Sequence, residues 1–277
     1  MQAGRSALVV YAWNGRDDPL ALVRRDAAPE FDLLLFDYGG TVEAASFAGY
    51  PVISRTTECK GEIFREVHRH VAATGSCHDY IGLIDDDIEF AFSDINRLLR
   101  IAGEHELDSF QAALTADSHH AHRHLLARAG SSLRPVPWVE VMMPFYRAAL
   151  FMAGGPYYER SISSYGIDQF VFPALQKLTG MERVAVIDAV ALRHARPITS
   201  DSKTFANGLT AHQERVVQWR MARAQVARER PGLVGTRWYL RTFSPLGGHH
   251  RFWTLRLLAP WLWLQGLAAR SGAQVPR

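Results

Sequence analysis

The pattern of apolar and polar positions divides the chain into alternating strands and helices. Residues 6–13 (SALVVYAW) form an apolar run that stops at Asn14-Gly15, a turn signal, and they predict a first buried strand. Asp18-Pro19 reads as a helix start, predicting a short helix over 20–26, with a second strand over 31–37 closing at Tyr38-Gly39-Gly40 and a third over 51–55. Over 58–74, Ile63, Phe64, Val67 and Val71 recur at helical spacing until Gly75. Residues 80–84 (YIGLI) carry no charge and predict a strand buried on both faces. A helix over 92–102, with Ile95, Leu98, Leu99 and Ile101 on one side, and a strand over 110–114 continue the alternation. Strands alternating with helices predict an α/β fold, a mixed, mostly parallel sheet flanked by helices.

After Thr115 the pattern breaks into ADSHHAHRHLL, where His119, His120, His122 and His124 have no cysteine or regularly spaced acid beside them, so a loop over a cleft is expected rather than a metal knuckle. Residues 135–147 (PVPWVEVMMPFYR) are strand-like but bounded by prolines, and 148–154 begin a helix that ends at Gly154-Gly155-Pro156. Asp168 falls at the first turn of an apolar helix predicted over 169–178, where a carboxylate caps the helix or stands at the edge of a cleft. The last clear strand, 183–193, hands over His194. A basic helix over 213–230 and an amphipathic or core-packing segment over 252–267 complete the chain.

The densest candidate chemistry follows the strand over 80–84, in the stretch DYIGLIDDDIEF. Ligands of parallel sheets bind outside the carboxyl ends of the strands, which is where Asp85, Asp86 and Asp87 are delivered. Continued strand alternation puts Asp85 and Asp87 on one face and Asp86 on the other. Three adjacent acids repel one another, and a hard divalent cation, Mg²⁺ or Mn²⁺ presenting a diphosphate, relieves that repulsion. A solvated acidic strand end, or an acid capping a helix near Ser93, accounts for the same residues.

At 277 residues and 48% hydrophobic, the chain can bury a large α/β core. Its two cysteines, Cys59 and Cys77, exclude a disulfide framework, and with no signal-peptide plan at the N-terminus a cytoplasmic location is expected. The formal charge of +3 hides an asymmetry. From residue 211 onward there are eleven arginines against two glutamates, a net +9, leaving 20 basic against 26 acidic residues, a net −6, in the body. Five of the seven tryptophans share that basic segment, a composition suited to an anionic membrane surface more than to nucleic acid. Its longest apolar run, 257–264 with Pro260 inside, is too short to span a bilayer. The expected division is a domain over 1–210 and a basic Trp/Arg-rich helical extension over 211–277.

An apolar strand closing on Asp-Asp-Asp, a separate acid before a helix and a late strand ending in His resemble the GT-A fold of nucleotide-diphospho-sugar transferases. More narrowly, WVEVMMPFYR (138–147), YGIDQF (165–170) and VAVIDAVALRH (184–194) resemble blocks of the uncharacterised domain of unknown function 707 family of plants and bacteria, over about residues 8–198. The resemblance implies a metal-dependent glycosyltransferase with a nucleotide-diphosphate sugar as co-substrate and a glycan, lipid-linked or polysaccharide acceptor. It implies that Asp85 and Asp86 bind the nucleotide sugar, that Asp85, Asp87 and His194 hold Mn²⁺ or Mg²⁺, and that Asp168 is the base of an inverting reaction. It places Trp13 and Asn14 near the nucleotide base and Lys60 near a phosphate. The basic extension suggests peripheral contact with the inner face of a membrane.

Two other readings stay open. LFDYGGTV (35–42) resembles the first motif of haloacid-dehalogenase-type phosphatases, with Asp37 as nucleophile, but Gly39 stands where that motif has its general acid. A non-catalytic protein of the GT-A fold that binds a nucleotide sugar or glycan is the other.

Overall fold

The computed structural model describes residues 6–43, 45–197 and 203–243. In chain order the elements are β1 (Ala7–Trp13), β2 (Val23–Arg24), β3 (Asp32–Asp37), β4 (Ser46–Phe47), β5 (Tyr50–Ser54), α1 (Lys60–Thr74), β6 (Tyr80–Ile84), β7 (Ile88–Ala91), α2 (Phe92–Glu104) and β8 (Ser109–Leu114). Then come β9 (Arg134–Pro135), β10 (Phe145–Arg147), α3 (Ala148–Ala153), α4 (Gly155–Tyr158), α5 (Phe172–Thr179), β11 (Val184–His194), α6 (Ala211–Glu229) and α7 (Arg237–Thr242). The strands form one sheet in the order β2-β7-β11-β8-β10-β6-β1-β3-β5-β4, with β9 on β11. Its centre is parallel, β6-β1-β3-β5, and β10 enters antiparallel between β6 and β8.

Both faces of that centre are covered, as uncharged strands require. Along β1 the alternation sends Val9 and Tyr11 into one core, with Phe92, Leu98 and Phe110, and Leu8, Val10 and Ala12 into the other, with Phe64, Phe151 and Phe172. Helix α1 supplies Ile63, Phe64, Val67 and Val71 to the second core and stops at Gly75, whose φ of 62° is a left-handed cap. Gly61 is needed there for space, since a Cβ would lie 2.7 Å from the Ser161 carbonyl oxygen and 2.8 Å from that of Ile162.

Four expectations are corrected. Residues 20–26 are not a helix. The Asp18 carboxylate accepts from the Leu20 N–H (2.9 Å) and closes one turn, after which β2 pairs in parallel with β7. Asp85–Asp87 do not continue β6, because the Ile88 N–H donates to the Asp85 carbonyl (3.2 Å) and the chain turns into β7, so no strand alternation sorts the three acids. The segment 135–147 is strand only at Arg134–Pro135 and Phe145–Arg147, with Pro137 and Pro144 lacking ladder donors between. The helix expected from Gln169 starts at Phe172, and Ile167–Val171 is one widened π turn. Pro173 has no N–H for the Gln169 carbonyl, and Val171 bonds back five residues to the Gly166 carbonyl (3.2 Å).

The basic segment starts with α6 packed on this body. Ala211, Glu214, Gln218, Ala222 and Val226 form its buried stripe, and two of those five are polar. Glu214 accepts from the N–H groups of Ile162 (3.0 Å) and Ser163 (2.7 Å) and from the Ser163 hydroxyl, so α6 clamps the loop that leads to Asp168. No helix among the described residues is long and apolar enough to cross a membrane. The segment over 252–267 lies outside the described residues.

Candidate functional site

The carboxyl ends of β6 and β11 open onto a cavity of about 1100 Å³, just above the usual size range of small-molecule sites. Its lining includes the charged group Lys60, Asp85, Asp87 and His194, the acids Glu140 and Asp168, and Trp138, His212, Arg215 and Trp238.

Around this charged group each acid has a partner. Lys60 opens α1 and its ammonium is bonded to Asp85. Asp86 accepts from the Tyr38 hydroxyl (2.8 Å) and from Arg196. Asp87 faces Arg196 Nε at 3.4 Å and His194 Nε2 at 3.2 Å. The meeting of Asp87 and His194 is a matter of register. His194 pairs with Ile88 across β11 and β7, and the Ala195 N–H donates to the Asp87 carbonyl (2.8 Å).

His194 Nδ1 lies 2.7 Å from the His119 carbonyl, which can only accept, so Nδ1 carries a proton. In the neutral ring Nε2 is then an acceptor aimed at Asp87 Oδ1, an oxygen buried without a hydrogen bond among the described residues. Two acceptors face each other, and a cation between them, a proton or a metal ion, removes the conflict. Burial alone lowers the basicity of His194, but Asp87 and the His119 carbonyl outweigh it and raise its pKa. For Asp87, burial raises and His194 and Arg196 lower, with lowering the net result. Among the described residues no three His, Cys, Asp or Glu side chains are grouped to hold a metal ion, and Asp85 is taken by Lys60. A metal here would take Asp87 and His194 from the protein and further oxygens from its ligand, the usual way Mg²⁺ is held.

The other two acids of the cavity lining, Asp168 and Glu140, are unlike these. Asp168, in the π turn, is 5% exposed, and its carboxylate accepts from the adjacent Gln169 N–H (2.8 Å). Burial pushes its pKa up to about 7. Arg215 of α6 tempers that rise, held over the Phe170 ring and bonded to Gln169 (2.9 Å). Glu140 is pushed up to about 8, by burial first and by Asp168 second. A carboxyl that ionises near neutrality beside a ligand-sized space is suited to taking a proton.

Of the residues singled out in the sequence, Lys60, Asp85, Asp87, Asp168 and His194 line this one cavity, and Asp86 adjoins it through Arg196. Trp13 and Asn14 do not line it. The Trp13 indole donates to the Asp17 carbonyl (2.7 Å), and Asn14 accepts from the N–H groups of Arg16 (2.9 Å) and Asp17 (3.2 Å) in the loop after β1. The histidine loop does reach the cavity, with the Trp138 ring set edgewise to His122 at 4.7 Å and His124 at 4.8 Å. Sequence reasoning missed Tyr38, Glu140, Arg196 and Arg215. Only Glu140 carried a visible signal, a lone acid inside the apolar stretch WVEVMM.

Asp37 is no nucleophile. It accepts from the N–H groups of Gly39 (2.8 Å), Gly40 (3.1 Å), Thr41 (2.7 Å) and Val42 (2.8 Å) and from the Ser54 hydroxyl (2.7 Å), so both oxygens are occupied. Burial works to raise its pKa, and these donors overcome it to give a net lowering. Gly15, at φ 77°, leaves the space this carboxylate fills, since a Cβ there would collide with Asp37 Oδ1 and Thr41 Oγ1.

No family model matches the chain, and none of the curated proteins does. Solved structures do resemble it. S. aureus TarS 1-349 in complex with UDP-GlcNAc superposes with a TM-score of 0.55 at 13% identity, over 96% of this chain and 81% of that one. The same TarS portion without a named ligand gives 0.54 at 14% identity over 96% and 79%, and its complex with UDP gives 0.51 at 12% identity over 96% and 79%. At such identities the likeness concerns the fold, and the chain has a GT-A-like α/β fold: a mixed, mostly parallel sheet flanked by helices.

Proposed function

We propose that the protein is a glycosyltransferase that moves a sugar from a nucleoside-diphosphate donor to a hydroxyl of a glycan, lipid-linked or polysaccharide acceptor. The observation that carries this is a single cavity joining Lys60, Asp85, Asp87 and His194 to a buried carboxyl of raised pKa, Asp168. TarS, of the same fold, is solved with UDP-GlcNAc and with UDP, a nucleotide sugar and the nucleotide left when the sugar departs, which supports uridine as the nucleotide.

In this reading Asp168 takes the proton of the acceptor hydroxyl. The acceptor oxygen then bonds the anomeric carbon as the bond to the diphosphate breaks, and the bonding electrons leave with the diphosphate. Attack on the side opposite the leaving group inverts that carbon. Lys60 and Arg196 offset the growing negative charge, and cations already fixed in place do so without reorganising. Asp87 and His194 would hold a divalent cation, Mn²⁺ or Mg²⁺, which when bound would add to the neutralisation of the leaving diphosphate. Asp85 and Asp86, oriented by Lys60 and by Tyr38, take the ribose and sugar hydroxyls. The blocks that resemble the domain of unknown function 707 family supply Asp168 and His194 to this arrangement.

The wider setting belongs to the same proposal. The domain over 1–210 carries the chemistry, and the basic extension over 211–277 brings it to the cytoplasmic face of a membrane, where a lipid-linked acceptor would lie. Release of UDP from UDP-GlcNAc in the presence of Mn²⁺ and a panel of glycan acceptors tests the central point. Wild type should release UDP and Asp168→Asn should not, while both bind UDP. Metal-dependent UDP binding with no release under any acceptor would make this a binding protein instead.

A further inference from the structure

The cavity wall carries polar groups that the chain itself leaves unpaired. Glu140 Oε2 and Gln176 Nε2 are buried without hydrogen-bond partners among the described residues, in side chains only 8% and 4% exposed, and both residues line the cavity. Native proteins pair nearly all such groups, so two left open on one wall call for a ligand that completes them. The Glu140 backbone is held firmly. Its N–H donates to Gln111 Oε1 (2.6 Å), and two residues on, the Met142 carbonyl accepts from the Asp85 N–H (3.0 Å). Glu140 is thereby set near Asp85, and its carboxyl lies within electrostatic reach of Asp168, His194 and Asp85.

We propose that Glu140 is a sugar-reading residue, whose buried carboxyl group hydrogen-bonds a ring hydroxyl of the transferred sugar between Asp85 and Asp168. This rests on the nucleotide-sugar reading above and goes beyond it by naming what recognises the sugar rather than the nucleotide. The chemistry of the group favours a polyol. A carboxyl protonated at neutral pH both donates and accepts, as a hydroxyl does, whereas a phosphate or a second carboxylate would meet the fields of Asp85, Asp87 and Asp168. A site built to bond a hydroxyl also discriminates strongly against ligands that lack it.

The test compares UDP with UDP-GlcNAc and UDP-glucose, all with Mn²⁺ present, by calorimetric titration of wild type, Glu140→Leu and Glu140→Gln. Glu140→Leu should bind UDP as wild type does but bind the UDP-sugars at least tenfold more weakly. Glu140→Gln, which keeps a donor and an acceptor, should retain most of that affinity. Glu140→Leu should also melt no lower than wild type, since it replaces an unpaired buried carboxyl with an apolar group of similar size. An unchanged ratio of UDP-sugar to UDP affinity in Glu140→Leu, equal weakening of all three ligands, or a lowered melting temperature in both variants would overturn the assignment. Failure of wild type to bind UDP itself would instead remove the nucleotide-sugar reading, and this assignment with it.

Discussion

Asp37, which closes β3, and Asp168, in the π turn before α5, are the same residue type and both nearly sealed from water, yet they have opposite chemistry. Asp37 receives five hydrogen bonds that hold the loop between β3 and β4, and its pKa is lowered. Asp168 is met only by backbone N–H groups of its own turn among the described residues, and burial pushes its pKa to about 7. Burial alone therefore does not mark a functional acid. What separates the two is whether the protein satisfies the charge it has buried: a satisfied carboxylate serves the fold, and one left short of donors beside a cavity is available to a ligand.

The largest effect that can break this contrast is on stability at Asp37. Asp37→Asn puts an amide donor among four backbone N–H groups and should destabilise the protein by about 3 kcal/mol or more, measured by urea unfolding. A loss below about 1 kcal/mol would show that the five hydrogen bonds do not hold the loop. Next comes Asp168→Asn, which should cut sugar transfer at least about a hundredfold while leaving UDP affinity as it is. Equal losses in turnover and UDP binding would assign Asp168 to binding rather than to proton transfer.

Stability should move the opposite way at Asp168. Its folded pKa of about 7 lies above the usual 3.8, so the native state holds an extra proton between those values. Wild-type stability is therefore lost as pH rises through that window. Asp168→Asn escapes the loss and should be more stable than wild type by about 2 to 4 kcal/mol at pH 8, a gain that vanishes toward pH 4. A gain independent of pH would mean that ionisation is not its source. The smallest effect is expected at an exposed acid that does neither job. Glu159, paired with Arg69 at 2.8 Å on the surface, should cost less than about 0.5 kcal/mol on change to Gln.

The same contrast explains what could be read from the sequence. Elements held by local pattern were legible, such as β1, β6, α1 and α2, whose apolar spacing follows one face or fills both. The acids after β6, Asp168 before α5 and His194 at the end of β11 were visible as residues at the ends of expected elements. Their mutual placement was not, because His194 reaches Asp87 only through the register of β11 on β7, a pairing of residues 106 positions apart in the chain. The helix expected over 20–26 failed because one Asp18 hydrogen bond closed a turn and β7 offered a strand partner. Helix α6 hid its packing because its buried stripe includes Glu214 and Gln218, which no hydrophobic pattern reports. Glu140 looked like a strand residue, and only the lack of a partner for its carboxyl singles it out.

The most direct measurement is calorimetric titration of UDP and GDP into the full chain, with and without Mn²⁺, for wild type and Asp87→Ala. Tight UDP binding that needs Mn²⁺ and is lost in Asp87→Ala is the predicted result, since Asp87 and His194 are the groups that would hold the ion beside the diphosphate. No binding of either nucleotide by the folded protein, with or without the ion, would contradict a nucleotide-sugar site in this cavity.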